Sequence, residues 1–222
     1  MLKSICQFAL VTAMAVVAFS VHADEATKTC PSGQCASATC EGGSCEECKE
    51  CPIAAALKKL PQLTFTVGDK KTCCPESASQ LSKDSDKPVH FVVAGKTFKK
   101  KPDAQMALLK ETEKFVSAFG KPQVCKVSKT TTVAGKSHTC NVAAGQTANL
   151  VKSAMDNVKL TFQVGEKACH CPVEAKQLTK DSGKPTLFVV AGQKTQCNVT
   201  ARLNLARAKY KAAVEAIVRA EA

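Results

Sequence analysis

Cys169, His170 and Cys171 put two thiols and an imidazole on consecutive residues, a donor set that suits Zn, Cu(I) or another soft ion. Neighbours on a strand point to opposite faces, so all three meet one metal only if the chain bends there. The competing reading is a disulfide from Cys169 or Cys171 to another unit, with His170 exposed. Cys73 and Cys74 pose the same choice, with a strained vicinal bridge as a third option. Cys140 and Cys197 stand alone. Cys30, Cys35, Cys40, Cys45, Cys48 and Cys51 are spaced by three four-residue gaps and two two-residue gaps in a stretch with almost no apolar content. Such a head is expected to be disordered unless crosslinked or metallated. It reads either as a disulfide-knotted or thiol-rich linker or as a site of soft-metal loading. An iron–sulfur cluster is disfavoured because the fourth ligand spacing is missing.

The elements that position these residues repeat. Residues 63–95 align with 160–192 without a gap and agree at 21 of 33 positions, which marks a duplication. Inside each copy is a shorter theme: a β-rich stretch, a Gly turn with Lys close by, a second short strand, then a helical pattern. It occurs five times, as FTVGDKKTCCP, FVVAGKTFKKKP, TTVAGKSHTCNV, FQVGEKACHCP and FVVAGQKTQCNV. Gly supplies the positive φ of a tight hairpin, and Phe-x-Val gives the period of two that buries one face. Counted from the turn Gly, the fifth residue is Cys73, Lys100, Cys140, His170 or Cys197, and the sixth is Cys74, Lys101, Asn141, Cys171 or Asn198. Helices are expected from the next position, so the thiols gather at helix N-termini. Free backbone N–H groups and the helix dipole favour a thiolate there. Lys100 and Lys101 replace both sites in the second unit, so the scaffold does not need a thiol to fold. Cys125 reads as a strand residue that is a bridge partner or a buried thiol, and His90 and His138 as ordinary surface or strand residues.

Short helices are predicted over 76–84 and 173–181, each stopped by an Asp-Ser ending before Lys-Pro. Longer ones follow, with apolar stripes at Met106, Leu109, Val116 and Phe119, at Thr147, Leu150, Val151, Ala154 and Val158, and at Leu203, Ala206, Tyr210, Ala213, Val214 and Ile217. Hairpins with one apolar face and helices with one apolar stripe pack in layers, which predicts an α+β fold. The expected organisation is a repeat domain over 53–222, in which duplicated segments 62–121 and 159–222 flank a middle hairpin–helix unit at 122–158. The alternative is a boundary near 120–130, where the periodicity breaks.

Residues 1–23 have a lone Lys3, an apolar run from Phe8 to Val21 and a V-H-A ending, the pattern of a cleaved secretory signal. The protein is therefore expected to be secreted or periplasmic, with no transmembrane segment after cleavage. Its 14 cysteines include Cys6 within the signal. The odd remainder cannot all pair in one monomer, although disulfides persist in such compartments. The head at 24–52 has two lysines against six carboxylates, whereas residues 53–222 have 28 Lys/Arg against 13 Asp/Glu. That basic surface suits solubility or an acidic partner of the cell envelope. Nucleic-acid binding is not expected, because the chain has no Trp and one Tyr and so lacks a stacking platform.

The hairpin followed by cysteine at a helix start resembles the metal-knuckle modules of the YHS and TRASH type, in which V-x-G-K-x-Y-x-F-C-x-x-x-C places thiolates on a treble-clef-like turn. The resemblance repeats over residues 62–222, with Phe98 near the position of the aromatic and Ala78 and Ala175 where the second helical cysteine belongs. It implies heavy-metal binding or sensing through Cys73, Cys74, Cys140, Cys169, Cys171 and Cys197. No catalytic constellation is present: there is no G-x-S-x-G, H-E-x-x-H or P-loop. Three functional readings follow. They are an exported protein binding soft metal ions such as Zn or Cu, a disulfide-stapled structural or interaction protein of the envelope, and a thiol–disulfide redox protein.

Overall fold

The computed structural model describes residues 51–221. The expected signal segment at 1–23 and the head cysteines Cys30, Cys35, Cys40, Cys45 and Cys48 lie outside the described residues. The chain is α+β. A short helix α1 (Pro52–Leu57) precedes five hairpin–helix units: β1 (Leu63–Val67), β2 (Lys70–Thr72) and α2 (Pro75–Ser85); β3 (Val89–Val93), β4 (Lys96–Phe98) and α3 (Lys101–Phe119); β6 (Thr131–Val133), β7 (Lys136–His138) and α4 (Asn141–Asn157); β8 (Thr161–Val164), β9 (Lys167–Cys169) and α5 (Pro172–Ser182); and β10 (Thr186–Val190), β11 (Gln193–Thr195) and α6 (Asn198–Glu221). A two-residue strand β5 (Gln123–Val124) enters the third unit.

The hairpins assemble into antiparallel sheets that follow the duplication. Units one and two form the order β2-β1-β3-β4, units four and five the equivalent order β9-β8-β10-β11, and the middle unit forms β5-β6-β7. The register opposes Phe65 to Phe91 and Phe162 to Phe188. Their rings meet with centroids 5.7 Å apart in both sheets, within the favourable range for aromatic pairs.

Every unit is held at one place. The valine before the turn is buried, at Val67, Val93, Val133, Val164 and Val190, and so is an alanine in the first helical turn, at Ala78, Ala104, Ala144, Ala175 and Ala201. Valine and alanine share a cluster in the first, second and fourth units. A methyl side chain lets the helix start lie close on the strand end, and the fully buried valine contributes roughly 1.5–3 kcal/mol. The same alanine donates its N–H to the carbonyl four residues earlier, closing the first helical bond, as in Ala78 to Cys74 at 3.1 Å and Ala201 to Cys197 at 2.9 Å.

The five turns are of two kinds. Gly68 and Gly165 have positive φ while the residues after them do not, and Val67 faces Lys70 and Val164 faces Lys167 across two-residue loops. This is the pattern of a type II′ turn. In the other three units Ala94, Ala134 and Ala191 have positive φ together with the glycines that follow, the type I′ pattern. The glycine is therefore the first loop residue in one kind and the second in the other.

Helix α6 is the shared centre, touching α1, α3, α4 and the β10–β11 hairpin. Tyr210 is its pivot: its ring packs edge-on to Phe115 and Phe119, with centroids 5.3 and 4.8 Å away, and its hydroxyl donates to Ala56 O at 3.2 Å. Val151, Ala213 and Ile217 close the α4 side. The α6 stripe is buried from Ala206 to Ile217 as its periodicity predicts, but Met106 and Leu150 are exposed. The α3 face keeps Leu109 and Val116 of the expected stripe and is completed by Ala104, Leu108 and Thr112, a small rotation away from Met106. Thr112 is tolerated there because its hydroxyl donates to Leu108 O at 2.7 Å.

Two outcomes test this account. Replacing Ala104 with Leu is expected to overpack the strand–helix contact and destabilise the protein by about 1–3 kcal/mol in urea unfolding. Replacing Ala94 with Gly is expected to raise stability by about 0.5–1 kcal/mol, because relief of left-handed strain exceeds the added chain entropy; a neutral or destabilising result would contradict the turn assignment.

Candidate thiolate site at the helix caps

The two turn types correct the alignment of the cysteines. Counting from the turn Gly mixes two registers; counting from the first loop residue, whether Gly68, Ala94, Ala134, Gly165 or Ala191, places Cys74, Lys100, Cys140, Cys171 and Cys197 in one position. That position is the helix N-cap. Cys74, Cys140 and Cys171 cap α2, α4 and α5, and Lys100 caps α3, all with extended backbone. Cys197 immediately precedes α6. Four of five units thus carry a cap thiol. Cys73 and His170 fall one residue earlier, on the exposed side, so they are not equivalents of Cys140 and Cys197 as the Gly count suggests.

Cap geometry explains why sulfur is accommodated there. An extended cap residue followed by helix leaves the next N–H groups without helical partners. None of the three cap sulfurs described in full closes a formal capping hydrogen bond, yet the amides bias ionisation. The Cys74 thiol lies below its ordinary pKa, chiefly through the Ser77 amide, then the Ser77 hydroxyl and the Glu76 amide. Cys140 is lowered by the amides of Ala143 and Val142. Cys197 is lowered by the hydroxyl and amide of Thr200 and, to a smaller degree, the amide of Val199. Each anion would sit on a ready-made set of donors.

The residue two before the cap ends the second strand and faces the first, as in Phe65 opposite Thr72, Thr131 opposite His138, Phe162 opposite Cys169 and Phe188 opposite Thr195. In the first and fifth units it is a threonine whose hydroxyl accepts from the cap N–H at 3.2 Å, Thr72 from Cys74 and Thr195 from Cys197. In the fourth it is Cys169, which is buried, with Sγ 3.9 Å from Cys171 O. Desolvation foremost, then the charges of Glu174 and Cys171, raise the Cys169 thiol. In the third it is His138, whose Nε2 is buried without a hydrogen-bond partner. Units three and four therefore carry a second soft donor two residues upstream of the cap thiol, His138 before Cys140 and Cys169 before Cys171.

His138 is a strand residue, as expected, and ends β7. Its two-residue spacing to Cys140 was visible, but only the strand register shows that it occupies the place of Cys169. Cys125 is also relocated. It is exposed, lies just beyond β5 and closes a loop in which its N–H donates to Thr130 O and its carbonyl accepts from Lys129, both at 2.9 Å. It is not buried and has no bridge among the described residues, and the Ser128 hydroxyl, followed by the Ser128 and Val127 amides, lowers its pKa.

Among the described residues Cys51, Cys73, Cys74, Cys125, Cys140, Cys169, Cys171 and Cys197 are all free thiols, and no three Cys, His, Asp or Glu side chains converge on one point. Cys169, His170 and Cys171 do not act as a triad: Cys169 is inside, while His170 and Cys171 are outside. No described helix is long and apolar enough to cross a membrane. Comparison with protein-family models, curated proteins and solved structures finds no match.

These environments predict distinct reactivities. In iodoacetamide labelling of the reduced protein followed site by site with mass spectrometry, Cys74, Cys140 and Cys197 are expected to reach half-maximal rate at lower pH than Cys169. The sign follows from ionisation: the amides that lower Cys74, Cys140 and Cys197 let them lose the proton at a pH where Cys169, raised by burial, still keeps it. Unfolding in urea should merge the profiles, and coincident profiles in the folded protein would contradict the cap effect.

Proposed function

We propose that this protein is an exported binder of soft metal ions, held by thiolates at the hairpin–helix junctions and in the cysteine-rich head. The observation that carries the reading is the recurrence of cysteine at the helix cap in four of five units, while the unit with Lys100 keeps the same hairpin and helix. A thiol that the fold does not require, set where amides favour its anion, is suited to a ligand role.

The donor arrangement favours Cu(I) over a closed Zn site. Tetrahedral Zn takes four donors, whereas the described residues offer pairs, His138 with Cys140 and Cys169 with Cys171, and single thiols at Cys74 and Cys197. Thiolate and imidazole pairs fit a soft monovalent ion of low coordination number. In this reading Cys169 gives up its proton on binding, and its burial makes that loading pH-dependent. Cys30, Cys35, Cys40, Cys45, Cys48 and Cys51 would add donors with glutamates as neighbouring anions, and the basic surface of residues 53–222 would face an acidic partner in the envelope.

The mature protein, reduced and titrated with Cu(I) against bathocuproine disulfonate, is expected to hold several equivalents and to shield its thiols from alkylation. Replacing Cys74, Cys140, Cys171 and Cys197 together with Ser should lower the capacity, with the head still loaded. Replacing His138 with Ala should weaken the third unit's site about tenfold or more. A protein isolated from an oxidising compartment with nearly all thiols in disulfides and no metal would support the stapled structural reading instead. A reversible dithiol couple of mild potential would support redox exchange.

A further inference from the structure

A cleft of about 800 Å³ lies away from the cap sites, where the α1–β1 connection, the β10–β11 hairpin and α6 meet. Its floor is apolar, with Leu57, Leu60, Leu63 and Val190. Arg207 and Lys211, one helical turn apart on α6, line it together with Asn204, and no Asp or Glu among the described residues does. Lys211 has only a loose contact with Glu215 on the same helix, at 3.8 Å. Arg207 has no carboxylate within ion-pair distance among the described residues. Arg202, one and a half turns earlier, is by contrast held bidentately by Glu113 at 2.8 and 2.9 Å. Arg207 is exposed, as is Lys211, and the protein beside its guanidinium lowers its pKa through partial desolvation. Two neighbouring cations with no carboxylate of the described residues within ion-pair distance of Arg207 make this side of the cleft attractive to an anion.

We propose that this cleft binds a small amphiphilic organic anion, its carboxylate or sulfonate on Arg207 and Lys211 and its apolar body on the leucine floor. The planar guanidinium presents a fork matched to two oxygens of such a group. An apolar concavity with few convergent polar groups is the usual form of a small-molecule site. This assignment is independent of metal binding. Cys73 lies at the rim of the cleft and is exposed, so its alkylation can report whether the space is filled.

The probe is 8-anilinonaphthalene-1-sulfonate, titrated into the reduced mature protein by fluorescence. One saturable site is expected, weakened about tenfold or more by Arg207→Ala and left unchanged by Arg202→Ala. The probe should also slow N-ethylmaleimide modification of Cys73 while leaving Cys140 and Cys197 unaffected. Should Arg207→Ala fail to fold by circular dichroism, Arg207→Gln and the Cys73 protection in the unaltered protein decide the matter. Unchanged affinity in a folded Arg207 variant, absence of Cys73 protection, or no saturable binding would overturn the proposal. So would binding that responds to Lys209→Ala but not to Arg207→Ala, since Lys209 lines the separate groove between α3, α4 and α6.

Discussion

A buried valine at the end of one strand and a buried alanine in the first turn of the next helix recur in all five units and pack together in three, and the rest of the molecule is arranged around them. The alanine cannot be large, because the helix start must come close to the hairpin. The valine cannot be polar, because it is covered completely. Between them run the second strand and the cap residue, whose backbone is fixed in extended form by the need to leave the strand and enter the helix within a few residues. The side chain at the cap is outside this constraint. Lysine and cysteine both occur there on the same backbone, so chemistry can vary at a position the packing leaves open.

Much of this was legible in the sequence, for physical reasons that can be named. The duplicated hairpins declare themselves through Phe-x-Val alternation and turn glycines, and α6 declares its buried face because Ala206, Tyr210, Ala213, Val214 and Ile217 keep a strict helical period. On α3 Leu109 and Val116 are buried as the stripe predicts, but Met106 is exposed and a threonine completes the face. Thr112 can do so only by satisfying its hydroxyl within its own helix, which no hydropathy pattern reveals.

The cap register was hidden for a different reason. Glycine marks both turn types but occupies different loop positions in them, since a type I′ turn needs positive φ at two residues and here the first is an alanine. A count from glycine therefore slides by one residue between units and pairs His170 with Cys140. Once the strands are aligned, Cys171 takes that place and His138 stands level with Cys169. Cys125 was similarly out of reach, since two strand residues followed by a tight loop leave little periodicity to read. The relation of Arg207 to the α1–β1 connection spans most of the chain and has no local signature.

The lysine at the head of α3 has a consequence of its own. A cation facing the positive end of a helix is disfavoured, yet the second unit keeps it and is as well built as its neighbours. The architecture thus behaves like a rack of interchangeable sockets whose occupancy is set one residue at a time. A single-codon change can switch a socket between a charged ammonium and a sulfur donor, so the number of thiols can be graded by point substitution while the rack itself stays unaltered.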